Sequence, residues 1–501
     1  MRISVARESD TGTKVSRRPV LKGAAGLLAA ALPVGKVARA QPSGSVLPSP
    51  SLGNVTGRLA RYMVEATTRE LPEDVVLACK HRILDTIGAM VSGARLRPGE
   101  VAARYVQSLG GTEEASVIAS QIRTTVANAA FANAMFGHAD ETDDFEPTTK
   151  AHPGCVVVPS ALAMAEHEGR SGMDVIRAVT LGYDLCCRLL FALGPDHVRA
   201  THRSAEGTSS TFGSVGATAA LARLDETQMR FAISYAAQQT SGLWSWVGDE
   251  DHIEKAFDFS GMGARNGVMA VTMVQAGFTG ITDVLDGRHN LFQALSAESQ
   301  PEEMVADLGT RFYVTETAIK TFSVGYPIQA PLDAMLTLRR EHGLNAENVE
   351  HILLRLPTDG ANIVNNSAMA DVNCQHLVAL ALQRGAVTFI DSHAQELMED
   401  PVLQELRSRV ELVADDSLVV PEAPRSAYVE VTRRDGTKVD LFVPHPPGTK
   451  ERPLDTQGVA TKVRDLIMPV LGTQKTEALI ERVSTLEELD DIRALRPLLT
   501  V

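Results

Sequence analysis

The sequence predicts a mainly α-helical protein, in which a large all-α helical domain is interrupted by a smaller α/β unit. Three observations predict it. Aromatic residues make up only 5% of the chain, and strands draw on aromatic residues, so a chain rich in Ala and Leu favours helix packing. From about 56 to 315 the apolar residues recur at helical spacing. From 316 to 446 short alternating runs and a hairpin signal replace that pattern, and after Pro444 and Pro447 it returns to helix. The predicted divisions are a first helical part over 54–315, the α/β unit over 316–446 and a C-terminal helical part over 447–501.

Each element has its own signal. Arg17 and Arg18 precede an Ala/Leu/Gly run that reaches about Val34, followed by Ala38-Arg39-Ala40. A basic region, a weakly apolar core and an A-x-A boundary describe a twin-arginine-type signal peptide over 1–40. No acidic residue lies between Asp10 and Glu65, and the run is too short and Ala/Gly-rich to span a bilayer. Residues 41–53, with Pro, Ser and Gly, read as a flexible linker. Pro72 is placed at the first position of a helix whose apolar face is Val75, Val76, Cys79, Ile83, Ile87 and Val91, ending at Gly93. Asp225 and Gln228 form a capping signal for a helix to about Gly242. A third helix, 259–277, is rich in Gly and Ala, as where helices approach closely. In the α/β unit, 350–356 and 410–413 alternate like strands and 374–385 is helical. Residues 428–433 and 438–443 flank Asp435-Gly436, a strong hairpin signal.

Charge and cysteine usage narrow the function. The net charge is −14, and residues 1–40 hold eight basic against two acidic residues, so the remainder carries −20. Such a chain is a poor partner for nucleic acid or an anionic membrane surface. A few Lys and Arg gathered in a pocket would then mark an anionic substrate. The five cysteines, Cys79, Cys155, Cys186, Cys187 and Cys374, are odd in number and form no C-x-x-C pair. That spacing suits neither a disulfide framework nor a zinc or iron–sulfur site, and they read as buried thiols.

Five segments place polar residues among small ones. His138 to Phe145, with four carboxylates in five residues and His152-Pro153 close behind, is either a site or a solvated turn. A calcium loop would need the D-x-[DN]-x-[DN]-G frame, which is absent. His202 leads into a Gly/Ser/Thr-rich helix start at 207–217, which suits either a bound carboxylate or tight helix packing. The others are Glu254-Lys255 with Arg265-Asn266-Gly267, then Lys320 with Gly325-Tyr326-Pro327, and Asn373 with Gln375-His376.

Taken in order, these segments resemble the MmgE/PrpD family, which includes 2-methylcitrate dehydratases and cis-aconitate decarboxylases. Its H-A-x-D-F-D-D-T…H-P pattern stands here as His138-Ala139-Asp140-Glu141-Thr142-Asp143-Asp144-Phe145…His152-Pro153. Its next histidine and Gly-rich helix start correspond to His202 through Gly216. Its lysine before a G-x-A-A-x-x-G helix corresponds to Lys255 with Gly263, Ala264 and Gly267, and its second lysine to Lys320. An AGFTG turn at 276–280 and a D-x-L-x-G-R stretch at 283–288 complete a resemblance that covers about 55–501.

The resemblance implies a large helical domain with an α/β lid, a homodimer, and no metal or cofactor. It implies a lyase, a dehydratase or decarboxylase, acting on a small anionic carboxylate, with an isomerase or epimerase of a dicarboxylate as the alternative on the same site. A periplasmic polycarboxylate-binding protein without turnover is a reading from a different class. In the enzyme, Lys255 and Lys320 would stabilise charge developing on a carboxylate, converging when the lid closes. His152 would move the proton, and His202 would be its acid partner or hold a carboxylate. Glu141, Asp144, Phe145, Arg265 and His376 would contact substrate. Glu141, Phe145 and His376 stand where the family has Asp, Thr and Tyr, and Ser323-Val324-Gly325 replaces a Pro/Cys/His stretch. Those departures favour a dicarboxylate or an aromatic-bearing acid over a tricarboxylate.

The signal segment predicts export to the periplasm. N-terminal sequencing of exported protein is expected to start near Gln41, and Arg17→Lys with Arg18→Lys to leave the precursor in the cytoplasm. A mature chain beginning at Met1 is the contrary result.

Overall fold

The computed structural model describes residues 53–501. The signal expected over 1–40, and the linker expected over 41–53 apart from its last residue, lie outside them. Helix accounts for 61% of the described residues and strand for 7%, as the low aromatic content predicts.

Small residues decide how the helices pack. Gly172–Leu193 and Ala205–Leu221 make the most extensive helix contact, with Gly216 set against the backbone of Gly182. Met262–Gln275 lies on the other side of Ala205–Leu221. A Cβ on Gly263 would stand 2.2 Å from the Ser210 hydroxyl, and one on Gly267 2.3 Å from that of Ser214. Of the two readings left open for the Gly/Ser/Thr stretch, tight packing is therefore the one realised along the helix body. All five cysteines are free and buried, as expected.

Two hydrophobic cores are buried. The larger draws on residues 55–319 and again on 459–499, and the smaller on 324–443. Around the second core runs a four-stranded sheet in the order Val410–Ala414, Val349–Leu356, Ala427–Arg433, Lys438–Val443. The first pair is parallel and the other two antiparallel, with Asp435-Gly436 in the turn of the hairpin. Gln329–His342 and Cys374–Arg384 cover the sheet.

The expected elements are present, with shifts at their ends. Pro72 is the N-cap of Glu73–Gly93 rather than its first helical residue. The Asp225/Gln228 capping box is formed in full, but that helix stops at Gln239. The helix expected over 259–277 is Met262–Gln275, preceded by a π turn at Phe257–Gly261 and a short helix at Ile253–Ala256. The C-terminal helix Thr456–Ser484 breaks at Gly472, whose φ is 76°.

Packing at Gly267 opposes helix propensity. Alanine is the better helix former by about 1 kcal/mol, but its methyl would also meet the Val215 backbone nitrogen at 2.9 Å. Overpacking of this kind costs about 1–3 kcal/mol. Gly267→Ala is expected to lower stability in urea unfolding, and a gain would show that the two helices can move apart.

Candidate active site

The loop that follows the Val126–Gly137 helix is folded inward rather than solvated. Residues 138–145 are buried throughout, which overturns the solvated-turn reading. Side chains within the loop set its path. Asp140 accepts from the Thr142 backbone N–H and hydroxyl, and Asp144 accepts from the Gly154 N–H at 2.8 Å. Lys462, reaching from the C-terminal helix, donates to the Thr142 carbonyl and pairs with Asp85 at 2.6 Å. Phe145 and Ala318 exchange both backbone hydrogen bonds, at 3.0 and 2.7 Å. That bridge carries the strand-like segment of Lys320 alongside the loop. Arg82 fixes the same segment by donating to Thr317.

The result is a buried ionic network. Lys320 is wholly buried and donates to the Glu141 carbonyl at 2.9 Å, with the Glu141 and Asp143 carboxylates each at 3.5 Å. Lys255 pairs with the other oxygen of Glu141. The two lysines expected to converge therefore meet at one carboxylate. Burial disfavours the Lys320 charge, but Asp143, Glu141 and Asp140 outweigh it and raise its pKa. Burial likewise opposes ionisation of Glu141 and Asp143. Lys255 and Lys320 hold Glu141 well below the usual carboxylate range, and His138, His152 and Lys320 do the same for Asp143.

Asp143 also orients a histidine. His152 Nδ1 lies 2.9 Å from Asp143 Oδ2, and His138 Nδ1 lies 3.0 Å from the same oxygen. An ionised Asp143 accepts a hydrogen bond from the Nδ1–H of His152, which keeps the proton on Nδ1 and leaves Nε2 with the lone pair. His138 stacks on Phe259 with centroids 4.1 Å apart, and its burial lowers its pKa against the pull of Asp143. Lys255 lies over the Trp246 and Phe259 rings, 5.1 and 5.2 Å from their centroids. The π turn at Phe257–Gly261 presents Phe259 here, and such turns often mark functional sites.

These groups open on a cavity of about 160 Å³ between the helical part and the α/β part. Five cations, Lys150, Arg199, Arg203, Lys255 and Arg425, and two carboxylates, Glu141 and Glu206, line it, together with His152. In a chain as acidic as this one, that excess points to an anionic ligand. The rest of the wall is largely apolar, with Phe145, Tyr326, Trp244, Trp246 and Phe259.

Of the residues expected at the site, the structure brings His152, Lys255, Glu141 and Phe145 to the cavity wall and sets Lys320 directly behind Glu141. It does not bring the other four. Asp144 is fully buried, and its bond to Gly154 spends it on starting the next helix. His202 is exposed at a left-handed turn (φ 59°), and its neighbour Arg203 lines the cavity instead. Arg265 reaches back to the Asn266 side chain and the Phe257 ring. His376 is buried in the Cys374–Arg384 helix, and burial pushes its pKa down to about 4, so it is neutral rather than a new charge for substrate. Gly325, the remaining departure, is on the wall. Sequence reading missed Lys150, Arg199, Arg425, Lys462 and His393. None sits in a motif, and lone basic residues are ordinarily solvated.

Two groups, His138/Asp143/Cys155 and His138/Glu141/His252, hold their ligand atoms within 4.8 Å of one another. They are poorly suited to a metal ion. Glu141 is already between two ammonium groups, and burial keeps the Cys155 thiol protonated, where a metal needs the thiolate.

An ion pair also joins the loop to the α/β part. His393 Nε2 lies 3.1 Å from Asp140, with Asp371 at 3.8 Å. Burial opposes its charge, but Asp140 and then Asp371 raise its pKa to about 9. Because the folded value exceeds the unfolded one of about 6.5, this contribution is complete below about pH 6.5 and lost as pH rises through about 9. Urea unfolding is expected to show His393→Phe flattening the decline in stability between those pH values. An identical decline in the variant would remove His393 as its source.

Family models match both halves of the chain, the MmgE/PrpD N-terminal domain over residues 57–304 and the MmgE/PrpD C-terminal domain over 322–488. The chain is similar to a cis-aconitate decarboxylase-like protein, oryM, of Aspergillus oryzae, at 24% identity over 89% of this chain and 98% of that one. It is 25% identical to the cis-aconitate decarboxylase of Aspergillus terreus, over 89% of this chain and 96% of the other. The human cis-aconitate decarboxylase is also 25% identical, over 89% and 95%.

Proposed function

Because the chain belongs to the MmgE/PrpD family, we propose that it is a cofactor-independent lyase that removes a proton beside a carboxylate of a small polycarboxylate. The observation that carries this reading is the Asp143–His152 pair at the cavity wall beside Lys255. His152 Nε2 accepts the proton, and Asp143 stabilises the imidazolium that forms. The electron pair left on carbon delocalises onto the substrate carboxylate, where Lys255 meets the growing charge. That gain is specific to the transition state, since the ground-state carboxylate carries less charge at that oxygen. In a dehydration that pair forms the double bond as the β-hydroxyl leaves, and the His152 imidazolium returns its proton to make water. In a decarboxylation the bond to the departing carbon dioxide supplies the electron pair in place of the C–H bond, and an imidazolium at His152 gives the carbon its one proton.

Lys255 has to exchange part of its bond with Glu141 for one with substrate. Lys320, held behind, keeps Glu141 compensated when it does. The cis-aconitate decarboxylases among the relatives support a polycarboxylate substrate, while Glu141, Phe145 and Gly325 on the wall favour one that is not a tricarboxylate. Homodimerisation and export to the periplasm belong to the same reading, from the resemblance and from Arg17-Arg18.

Incubation of the protein with di- and tricarboxylates in deuterated water tests the proposal. Deuterium is expected at an α-carbon of at least one acid, with new ultraviolet absorbance wherever a conjugated acid forms. His152→Gln is expected to slow exchange about 10²–10⁴-fold and Lys255→Ala about 10²–10³-fold. Exchange in no acid, or undiminished exchange in His152→Gln, would sink this mechanism.

A further inference from the structure

Three cations stand on the cavity wall with no part in the chemistry above. Lys150, Arg199 and Arg425 are close enough for the two arginines to depress the lysine. Lys150 has a left-handed backbone, φ 67°, which side chains other than glycine adopt at a cost. Its ammonium donates to the Pro147 carbonyl at 2.5 Å, and among the described residues no carboxylate lies within 4.0 Å of it. Arg425 is 7% exposed. Its Nη1 pairs with Asp359 at 2.7 Å, and among the described residues its Nε has no partner. Arg199 lies over the Trp244 ring, 5.8 Å from its centroid. The nearby Glu146 is spent on the Thr148 and Thr149 N–H groups.

Gathering like charges out of water is costly unless something compensates them. Burial, then Arg425 and Arg199, pull the Lys150 pKa down to about 7. Among the described residues the ammonium has the Pro147 carbonyl and the Phe145 ring as partners, and neither carries a negative charge to set against the two arginines. An anion on the ligand would supply one.

The position of this cluster says where that anion lies on the ligand. Phe145 separates it from the catalytic side. The Phe145 ring meets His152 edge-on at 5.1 Å, Tyr326 at 4.3 Å, and the Lys150 ammonium at 5.5 Å. We propose that Lys150 and Arg425 form a second anion subsite, and that the substrate carries two anionic groups held apart by an apolar body lying against Phe145 and Tyr326. One carboxylate then sits by Lys255 and His152 and the other by Lys150. This rests on the lyase reading for the role of the first carboxylate but not for the existence of the second subsite.

Binding separates the two. The probes are succinate, glutarate, adipate and 4-(carboxymethyl)benzoate, each compared with its monoamide by calorimetry at pH 6.5. The wild-type protein is expected to bind at least one diacid ten- to a hundredfold more tightly than its monoamide, the value of a charge-assisted buried hydrogen bond. Lys150→Met is expected to remove that preference while leaving monoamide binding intact. Its melting temperature should be unchanged or raised, since a half-buried charge beside two arginines is gone. No diacid preference in the wild type, or a preference that survives Lys150→Met, overturns the subsite. A Lys150-dependent preference without α-carbon exchange in deuterated water leaves the subsite standing and removes the lyase reading instead.

Discussion

The ion triad of Glu141, Lys320 and Asp143 is the constraint on which the rest of the site depends. Three charges are taken out of water together, and each is tolerable only because the others are present. A buried pair of this kind adds little net stability, yet removing one member strands the rest at a cost of about 3–5 kcal/mol. The arrangement therefore specifies a geometry more than it strengthens the fold. It holds the 138–145 loop inward, makes Asp143 an anion, and through Asp143 sets the tautomer of His152. It also gives Lys255 a partner that can be released without leaving Glu141 uncompensated.

That triad is assembled from a loop of the larger core and the segment that leads from that core to the smaller one. Glu141 and Asp143 lie between two long helices of the larger core, whereas Lys320 lies just before the first residues of the smaller one. The Phe145–Ala318 bridge and the Arg82–Thr317 bonds make the connection, and His393–Asp140 adds a second one from the α/β side. Catalytic geometry and the attachment of the α/β part are consequently one problem. A change that loosens the attachment also loosens the Asp143–His152 pair.

Several parts of this arrangement were legible in the chain because they rest on local rules. Helical spacing around Cys79–Val91, the Asp225/Gln228 capping box and the Asp435-Gly436 hairpin each act within a few residues. So does the contrast between the Gly/Ala-rich helix at 262–275 and the alternating stretch at 349–356. The order of small motifs carried the family, and with it His152, Lys255, Lys320, Glu141 and Phe145. Motif position failed at His202 and His376. Whether a side chain faces a cavity depends there on one left-handed backbone angle and on which side of a helix packs inward.

What the sequence by itself determined is thus the class of fold, the succession of elements and the chemical types gathered near the loop. Propensity, periodicity and turn chemistry act between residues close in the chain, so they can be read without a structure. Only the tertiary structure decided which cations serve the cavity. Lys150, Arg199 and Arg425 come from separate segments, and their meaning lies in mutual proximity, in their place on the cavity wall and in the absence, among the described residues, of a carboxylate within 4.0 Å of Lys150. Coulomb interactions and desolvation depend on distance through space and on exposure to water, and neither quantity is written in the spacing of residues along the chain.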